Sequence, residues 1–132
     1  MKAQGRGTIL DVGVYTIQLA QFIFNGDKPI SIKASGFLND GGVDQSVSAI
    51  LLYSHNRTAT MITNFDVRLP NEGIIVGTKG IIKIPEFWHP TRIELPTGVI
   101  EDPLPEAPHK FNFYNSAGLR FEAMEVRTCL QT

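Results

Sequence analysis

The chain has 132 residues, of which 42% are hydrophobic and 19% are charged, and its formal net charge at pH 7 is −1. The length suits one domain with a hydrophobic core, so we predict a single domain over residues 1–132. The near-neutral charge, with basic residues scattered singly, gives no electrostatic reason to expect a nucleic acid or an anionic membrane as partner, and no apolar run approaches the ~20 residues of a membrane span.

The first fifteen residues carry the strongest local pattern of the chain. A glycine-containing turn, Gly5-Arg6-Gly7, leads into an apolar stretch that predicts a helix over residues 9–24. Asp11 and Tyr15 are four positions apart and therefore share one helix face, and Gln18 follows one turn later. An acid and a phenol among apolar residues are costly to bury without polar partners, so they suggest a site with the helix as its wall.

Two interpretations of this pair remain open from the residues alone. Asp11 can be a first-turn carboxylate that the helix dipole favours, and Tyr15 a core residue whose hydroxyl reaches the surface. Alternatively, the two act as an acid–base pair that faces a hydroxyl or carbonyl substrate. A phenol ordinarily titrates near pH ~10, so this second role requires a nearby cation to lower its pKa.

Beyond the helix, the period of the apolar residues changes from helical to alternating. The dense stop signal Asn25-Gly26-Asp27-Lys28-Pro29 ends the helix. The strands predicted after it are 30–37, 43–53, 58–65, 73–77, 81–85, 91–95, 99–101 and 110–113, and a second helix is predicted over 119–130. Strands at hairpin spacing favour an α+β fold with a mostly antiparallel open sheet and helices on one face.

Several kinds of chemistry find no support in the sequence. The run from Gly5 to Leu10 lacks the third glycine of a dinucleotide fingerprint, and Gly77-Thr78-Lys79-Gly80 has the length of a hairpin turn. The three histidines lie in different loops and share no ligand spacing, so no metal site is predicted. A nucleophile-elbow sequence is also missing, which leaves acyl transfer without a basis.

Aromatic residues form a second signal, concentrated in Phe87-Trp88 and in Phe111-Asn112-Phe113-Tyr114. These rings can belong to the core. They can equally form a wall for an apolar or sugar-ring ligand, because aromatic faces offer contact area and their polar groups orient the ligand.

The single cysteine, Cys129, cannot form an internal disulfide and favours a reducing compartment. The N-terminus does not read as a signal peptide, so we expect a cytoplasmic protein. The second predicted helix runs to the chain end without a capping residue, and both ends look truncated. We therefore expect the chain to be a fragment of a longer protein.

The segment from Gly5 to Tyr15 resembles the G-G-G-x-L-x-D-x-G-x-(H/Y) segment that opens the C-terminal domain of the glucose–fructose oxidoreductase, inositol dehydrogenase and rhizopine-catabolism family. Arg6 departs from the glycine triplet. The tyrosine in the last place is most similar to the branch that oxidises dihydrodiols and D-xylose. Supporting matches spread along the chain are Gly42-Val43-Asp44, Gly77-Thr78-Lys79-Gly80, Trp88 with Pro90-Thr91, Asn112-Phe113, Gly118 and Phe121-Glu122-Ala123.

The resemblance implies a catalytic and substrate-binding part of an NADP-dependent oxidoreductase. In this family a separate Rossmann domain holds NADP and supplies a lysine, and that domain is missing from these 132 residues. Carried over by position, Tyr15 is the proton-transfer residue, and Asp11, Trp88 and Phe113 contact substrate. The substrates implied are trans-dihydrodiols or aldopyranoses such as D-xylose, and the sheet is expected to form a homodimer. The competing interpretation is a non-catalytic dimerisation or binding module.

Overall fold

The computed structural model describes residues 6–107, 109–113 and 115–131. They form two compact units that divide between Asn71 and Glu72. The first unit contains a π-helical turn (Ile9–Gly13), α1 (Val14–Ile23), β1 (Ser31–Leu38), β2 (Asp44–Tyr53) and β3 (Arg57–Asn64). The second contains β4 (Glu72–Gly77), β5 (Gly80–Pro85), β6 (Arg92–Leu95), β7 (Gly98–Glu101), a 3₁₀ turn (Ser116–Gly118) and α2 (Leu119–Gln131).

The predicted first helix forms, but it opens with a π turn before continuing as α1. Its end follows the expected signal: Asn25 and Gly26 both adopt positive φ angles, and the Gly26 amide donates to the Gln21 carbonyl at 2.8 Å. Glycine tolerates this left-handed conformation because it has no Cβ. The bond satisfies a carbonyl that the last helical turn would otherwise leave without a partner.

The first unit is a helix packed on a three-stranded antiparallel sheet in the order β1-β2-β3. The side chains of β2 and β3 alternate between the two faces of the sheet, as strand geometry requires. The buried core is made of Ala49, Leu51, Tyr53 and Met61 on one face, and Ile9, Ile17 and Phe24 pack against it from the helical segment. The same face therefore carries the helix and the core.

The C-terminal end of α1 is held against the β2–β3 hairpin. The rings of Phe24 and Tyr53 lie 4.4 Å apart between centroids, and the Arg57 guanidinium lies 5.1 Å from the Phe24 centroid. Arg57 also donates to an Asp27 carboxylate oxygen at 2.6 Å. Because Arg57 and Asp27 are both partly exposed, this ion pair contributes little to the free energy of unfolding.

The second unit contains a four-stranded antiparallel sheet in the order β4-β5-β6-β7. The first two strands form a tight hairpin that closes on the Gly77–Gly80 pair. Gly80 has a positive φ and its backbone lies against the Pro96 ring, so a side chain would not fit there. Helix α2 has no buried residue, and its exposed apolar side chains include Leu119, Phe121 and Leu130.

The α+β fold class with antiparallel sheets is confirmed, although the strands divide into two sheets. The strand predicted over residues 110–113 is wrong: the described residues of this stretch are irregular, with Phe111 and Phe113 exposed. The short alternating pattern Lys-Phe-Asn-Phe was misleading because a strand also requires a neighbour to satisfy its backbone groups. Among the described residues, no helix combines the length and apolar character needed to cross a membrane.

Candidate functional site

Asp11 and Tyr15 lie on the outward side of the first helix, the acid in the π turn and the phenol in the first turn of α1. Both residues are exposed, and 46% of the Tyr15 surface remains accessible. The pair is therefore accessible from solvent, and its polar groups do not carry the cost of burial. The packed side of the helix is occupied by Ile9 and Ile17, which turns the pair away from the sheet.

A stripe of four residues runs along this outward side at helical spacing: Asp11, Tyr15, Gln18 and Phe22. All four are exposed, and Phe22 is 80% accessible. Positions four and three apart stack on one helix face, so a carboxylate, a phenol, an amide and an aromatic ring stand in one line. This combination offers hydrogen-bonding groups beside apolar contact area.

The outward side of the helix is also unusually apolar for a surface. Leu10 is 70% and Val14 46% exposed, next to the stripe. The sheet packs against the opposite side of the helix, where Ile9 and Ile17 contact the core. Large exposed apolar areas mark binding or association surfaces, so the uncovered side has the character of a contact surface.

The two predicted aromatic residues belong to the second unit and lie on different segments. Trp88 is half-buried in the turn between β5 and β6, and its ring meets the His89 imidazole edge-on with centroids 3.7 Å apart. Phe113 lies in the irregular segment before the 3₁₀ turn and is 71% exposed. Asp11 and Tyr15 thus share the first helical segment, while Trp88 and Phe113 belong to different segments of the second unit.

A buried hydrogen-bond network beneath the start of the helix was missed by sequence reasoning. Thr63 donates to the hydroxyl oxygen of Thr8 at 2.9 Å, and Thr8 donates to Asp44 Oδ2 at 2.9 Å. The same carboxylate oxygen accepts the Ile9 amide at 2.8 Å. Thr8 and Thr63 are 0% and 2% exposed, so their hydroxyls require these partners.

Asp44 caps the helix from a different element. The first amides of a helix have no partner within it, and a carboxylate favours the positive end of the helix dipole. Capping residues usually lie next to the helix in sequence, but Asp44 lies 35 positions after Ile9, at the start of β2. The sequence signal was the Gly42-Val43-Asp44 match, which by itself says nothing about a partner so far away.

Gly7 is required by this network because its backbone lies directly against the Asp44 carboxylate. A Cβ built at Gly7 would overlap Asp44 Oδ1, with the Cγ and Oδ2 atoms also too close. Gly7 is buried, and its carbonyl accepts the Asp11 amide at 3.1 Å. The glycine before the helix therefore permits close contact with a carboxylate.

These hydrogen bonds hold the pKa of Asp44 below its ordinary value. The Ile9 amide has the largest effect, burial acts in the opposite direction, and the Thr8 hydroxyl lowers the pKa further. A depressed pKa means that the folded state favours the carboxylate, which therefore stabilises the fold at neutral pH.

We predict that this stabilisation is lost in acid. A group with a lowered folded pKa stabilises above its unfolded pKa, about 3.9 for an aspartate, and loses its contribution as the pH falls toward the folded pKa. The free energy of unfolding of Asp44→Asn should therefore lie below that of the parent by a constant amount above about pH 5, and the gap should narrow below about pH 4. Urea unfolding from pH 3 to pH 7 measures the free energy of unfolding of the variant and of the parent. A difference between them that does not change with pH would contradict the prediction.

Neither of the two glycine segments considered above forms a dinucleotide-binding loop in the described residues. The glycine contact that would approach a phosphate is occupied by the Asp44 carboxylate, which repels anions. The Gly77–Gly80 segment is closed as a hairpin. We therefore assign neither glycine segment to a cofactor.

Together, these features define an α+β domain in which a helix with an outward acid–phenol stripe covers one face of an antiparallel sheet. The sequence model of the GFO/IDH/MocA C-terminal domain matches residues 1–83. The chain belongs to this family.

The chain is similar to trans-1,2-dihydrobenzene-1,2-diol dehydrogenases. It is 42% identical to the Xenopus laevis protein over 130 residues and 34% identical to the Homo sapiens protein over 131 residues. Each alignment covers 98% of this chain and 39% of the relative, so the chain spans about two fifths of the relatives' length. A crystal structure of aldose-aldose oxidoreductase from Caulobacter crescentus shares the fold, with a TM-score of 0.62 and 20% identity over 93% of this chain and 38% of that one.

Proposed function

We propose that this chain is the catalytic and substrate-binding part of an NADP-dependent oxidoreductase that oxidises secondary alcohols, namely trans-dihydrodiols or aldopyranoses such as D-xylose. The observation that carries the proposal is the Asp11–Tyr15 pair on the uncovered apolar side of the first helix. Family membership and the similarity to dihydrodiol dehydrogenases support it.

In the proposed reaction, Tyr15 accepts the proton of the substrate hydroxyl as hydride leaves the same carbon. Proton transfer by a positioned phenol is an established form of general acid–base catalysis. Asp11, one turn before Tyr15, orients the substrate by accepting hydrogen bonds from a neighbouring hydroxyl group.

The two glycine segments of the described residues do not have the form of a dinucleotide-binding loop. We propose that NADP, together with the cation that makes a phenol basic at neutral pH, is held by protein beyond these 132 residues. The chain's own contribution is then to bind and orient the alcohol and to take its proton.

The proposal predicts that the 132-residue chain is inactive by itself. Incubation with NADP and either D-xylose or a trans-dihydrodiol should produce no increase in absorbance at the wavelength of reduced nicotinamide, because the site that holds the hydride acceptor is proposed to lie in other protein. Measurable turnover by the isolated chain would contradict this expectation.

A chimera provides the positive counterpart to this experiment. In it, this chain replaces the matching 130 residues of the Xenopus laevis dehydrogenase. The chimera is expected to reduce NADP with a trans-dihydrodiol. A folded chimera without activity would favour the non-catalytic module instead.

We further propose that the first sheet associates with a second copy of the protein. Its outer face exposes Ile50 (46%), Leu52 (39%) and Ile62 (58%) beside the threonines and serines of β2 and β3. Apolar sheet faces of this kind commonly mark association surfaces. Sedimentation of the chain should show a dimer that Ile62→Lys converts to a monomer. A Thr60→Lys variant places the same charge on the same face and strand. It tests whether the dimer depends on the apolar contact of Ile62 or on any position of this face.

A further inference from the structure

The hydrogen-bond network beneath the helix connects two strands to the segment that carries the acid–phenol pair. Thr63 comes from β3, Asp44 from β2, and Thr8 immediately precedes the π turn. The donors run in one direction, from Thr63 to Thr8 and from Thr8 to Asp44. The network ends at a carboxylate because an ionised carboxylate accepts hydrogen bonds and donates none.

This network determines where the helix begins on the sheet. Asp44 Oδ2 accepts both the Thr8 hydroxyl and the Ile9 amide, so one oxygen fixes the side chain and the backbone of adjacent residues. A second attachment follows at Thr16, whose hydroxyl lies 3.5 Å from Met61 Sδ on β3. Tyr15 is adjacent to Thr16. The contacts with Asp44 and Met61 therefore fix the position and orientation of its helix on the sheet.

The π turn lies between the Thr8–Asp44 hydrogen bond and Tyr15. The π turn from Ile9 to Gly13 contains one more residue per hydrogen-bonded ring than an α-helix, and such turns occur often at functional sites. Gly13 is buried, and a Cβ added to it would lie 3.5 Å from Thr63 Cγ2. The π turn therefore lies close to the same threonine that donates to Thr8. The network therefore supports the turn at two points.

We propose that Asp44 is a positioning residue for Tyr15, acting through Thr8 and the Ile9 backbone to hold the phenol at the angle that proton transfer requires. The role rests on the proposed function of Tyr15. A displacement of about 1 Å at a reacting group can cost about 100-fold in rate. The contacts of Asp44, two helical turns before Tyr15, can therefore affect the rate of proton transfer. Its loss should lower kcat and leave KM nearly unchanged.

The experiment uses matched variants in the chimera described above. Thr8→Val keeps the shape of the side chain and removes its hydroxyl, while Thr8→Ser keeps the hydroxyl. Asp44→Ala removes the acceptor, while Asp44→Asn retains one acceptor oxygen. Asp27→Ala removes a carboxylate and its ion pair with Arg57 at the opposite end of α1, and it controls for the loss of an acidic side chain that does not contact Thr8 or Ile9.

The expected result is a tenfold or larger fall in kcat for Thr8→Val and Asp44→Ala, with KM within about twofold of the parent. Thr8→Ser and Asp44→Asn should recover most of kcat, and Asp27→Ala should retain all of it. Equal kcat values in Thr8→Val, Asp44→Ala and Asp27→Ala would overturn the positioning role while leaving the proposed function intact. A Tyr15→Phe chimera as active as the parent would instead overturn the proposed function.

A second measurement tests the structural part in the 132-residue chain itself. Hydrogen exchange of the amides from Ile9 to Tyr15 should accelerate at least tenfold in Asp44→Ala relative to Asp27→Ala. Amides in β4 and β5 serve as an internal reference. Unchanged exchange in the Ile9–Tyr15 segment would overturn the proposal, whatever the kinetics of the chimera.

Discussion

Tyr15→Phe is expected to lower kcat/KM of the chimera by about 100-fold or more, because a positioned general acid–base group contributes ~10²–10⁴-fold to rate. The substitution removes only the hydroxyl, and the half-exposed ring keeps its place on the outward side of the helix. Steady-state reduction of NADP with a trans-dihydrodiol measures the change. Binding of substrate should persist, so the loss should fall mainly on kcat.

Tyr53→Phe is the matched control for this prediction. It also removes a phenol hydroxyl from the first unit, but Tyr53 is 3% exposed and its ring packs at a tilted angle against the Phe24 ring. Catalysis by this variant should match the parent. If the two variants lose activity equally, Tyr15 has no special role in proton transfer.

Gly7→Ala is expected to destabilise the fold by about 1–3 kcal/mol, the usual cost of forcing a side chain into a packed site. The added methyl group would overlap the Asp44 carboxylate and push it away from Thr8 and Ile9. Urea unfolding of the 132-residue chain measures the free energy difference. Gly77→Ala is the control, because its Cβ would meet only the Gly80 carbonyl at 3.8 Å, an ordinary contact.

A double-mutant cycle separates this overlap from other effects of alanine. In an Asp44→Ala background the carboxylate is gone, so Gly7→Ala should cost much less than in the parent. Residues in contact commonly show such coupling, whereas independent sites add. A cost of Gly7→Ala that is the same in both backgrounds would show that Asp44 is not what requires glycine at this position.

Local signals predicted most elements of this fold well. The Asn25–Pro29 stop signal and the glycine turn at Gly77–Gly80 predicted chain reversals that the structure contains. Alternation along β2 and β3 predicted the buried face that holds Leu51 and Met61. These features depend on residues close in sequence, so a pattern read along the chain can reveal them.

The strand predicted at residues 110–113 shows where the same approach fails. Four residues can alternate by chance, and pairing depends on whether another strand is available. The orientation of the helix was a second feature that the sequence left open: Asp11 and Tyr15 share one helix face, and the structure shows that both residues are exposed. An apolar helix read in isolation does not show which of its sides has a neighbour.

The amino-acid sequence by itself determined the α+β class, the helical spacing that places Asp11 above Tyr15, and the resemblance that led to the family. Tertiary structure alone decided which side of that helix is packed, and that a carboxylate from β2 caps it. Asp44 and Ile9 are 35 positions apart, and Thr8 and Thr63 are 55 apart. No local pattern encodes such pairs, because they come into contact only when the sheet and the helix have packed together.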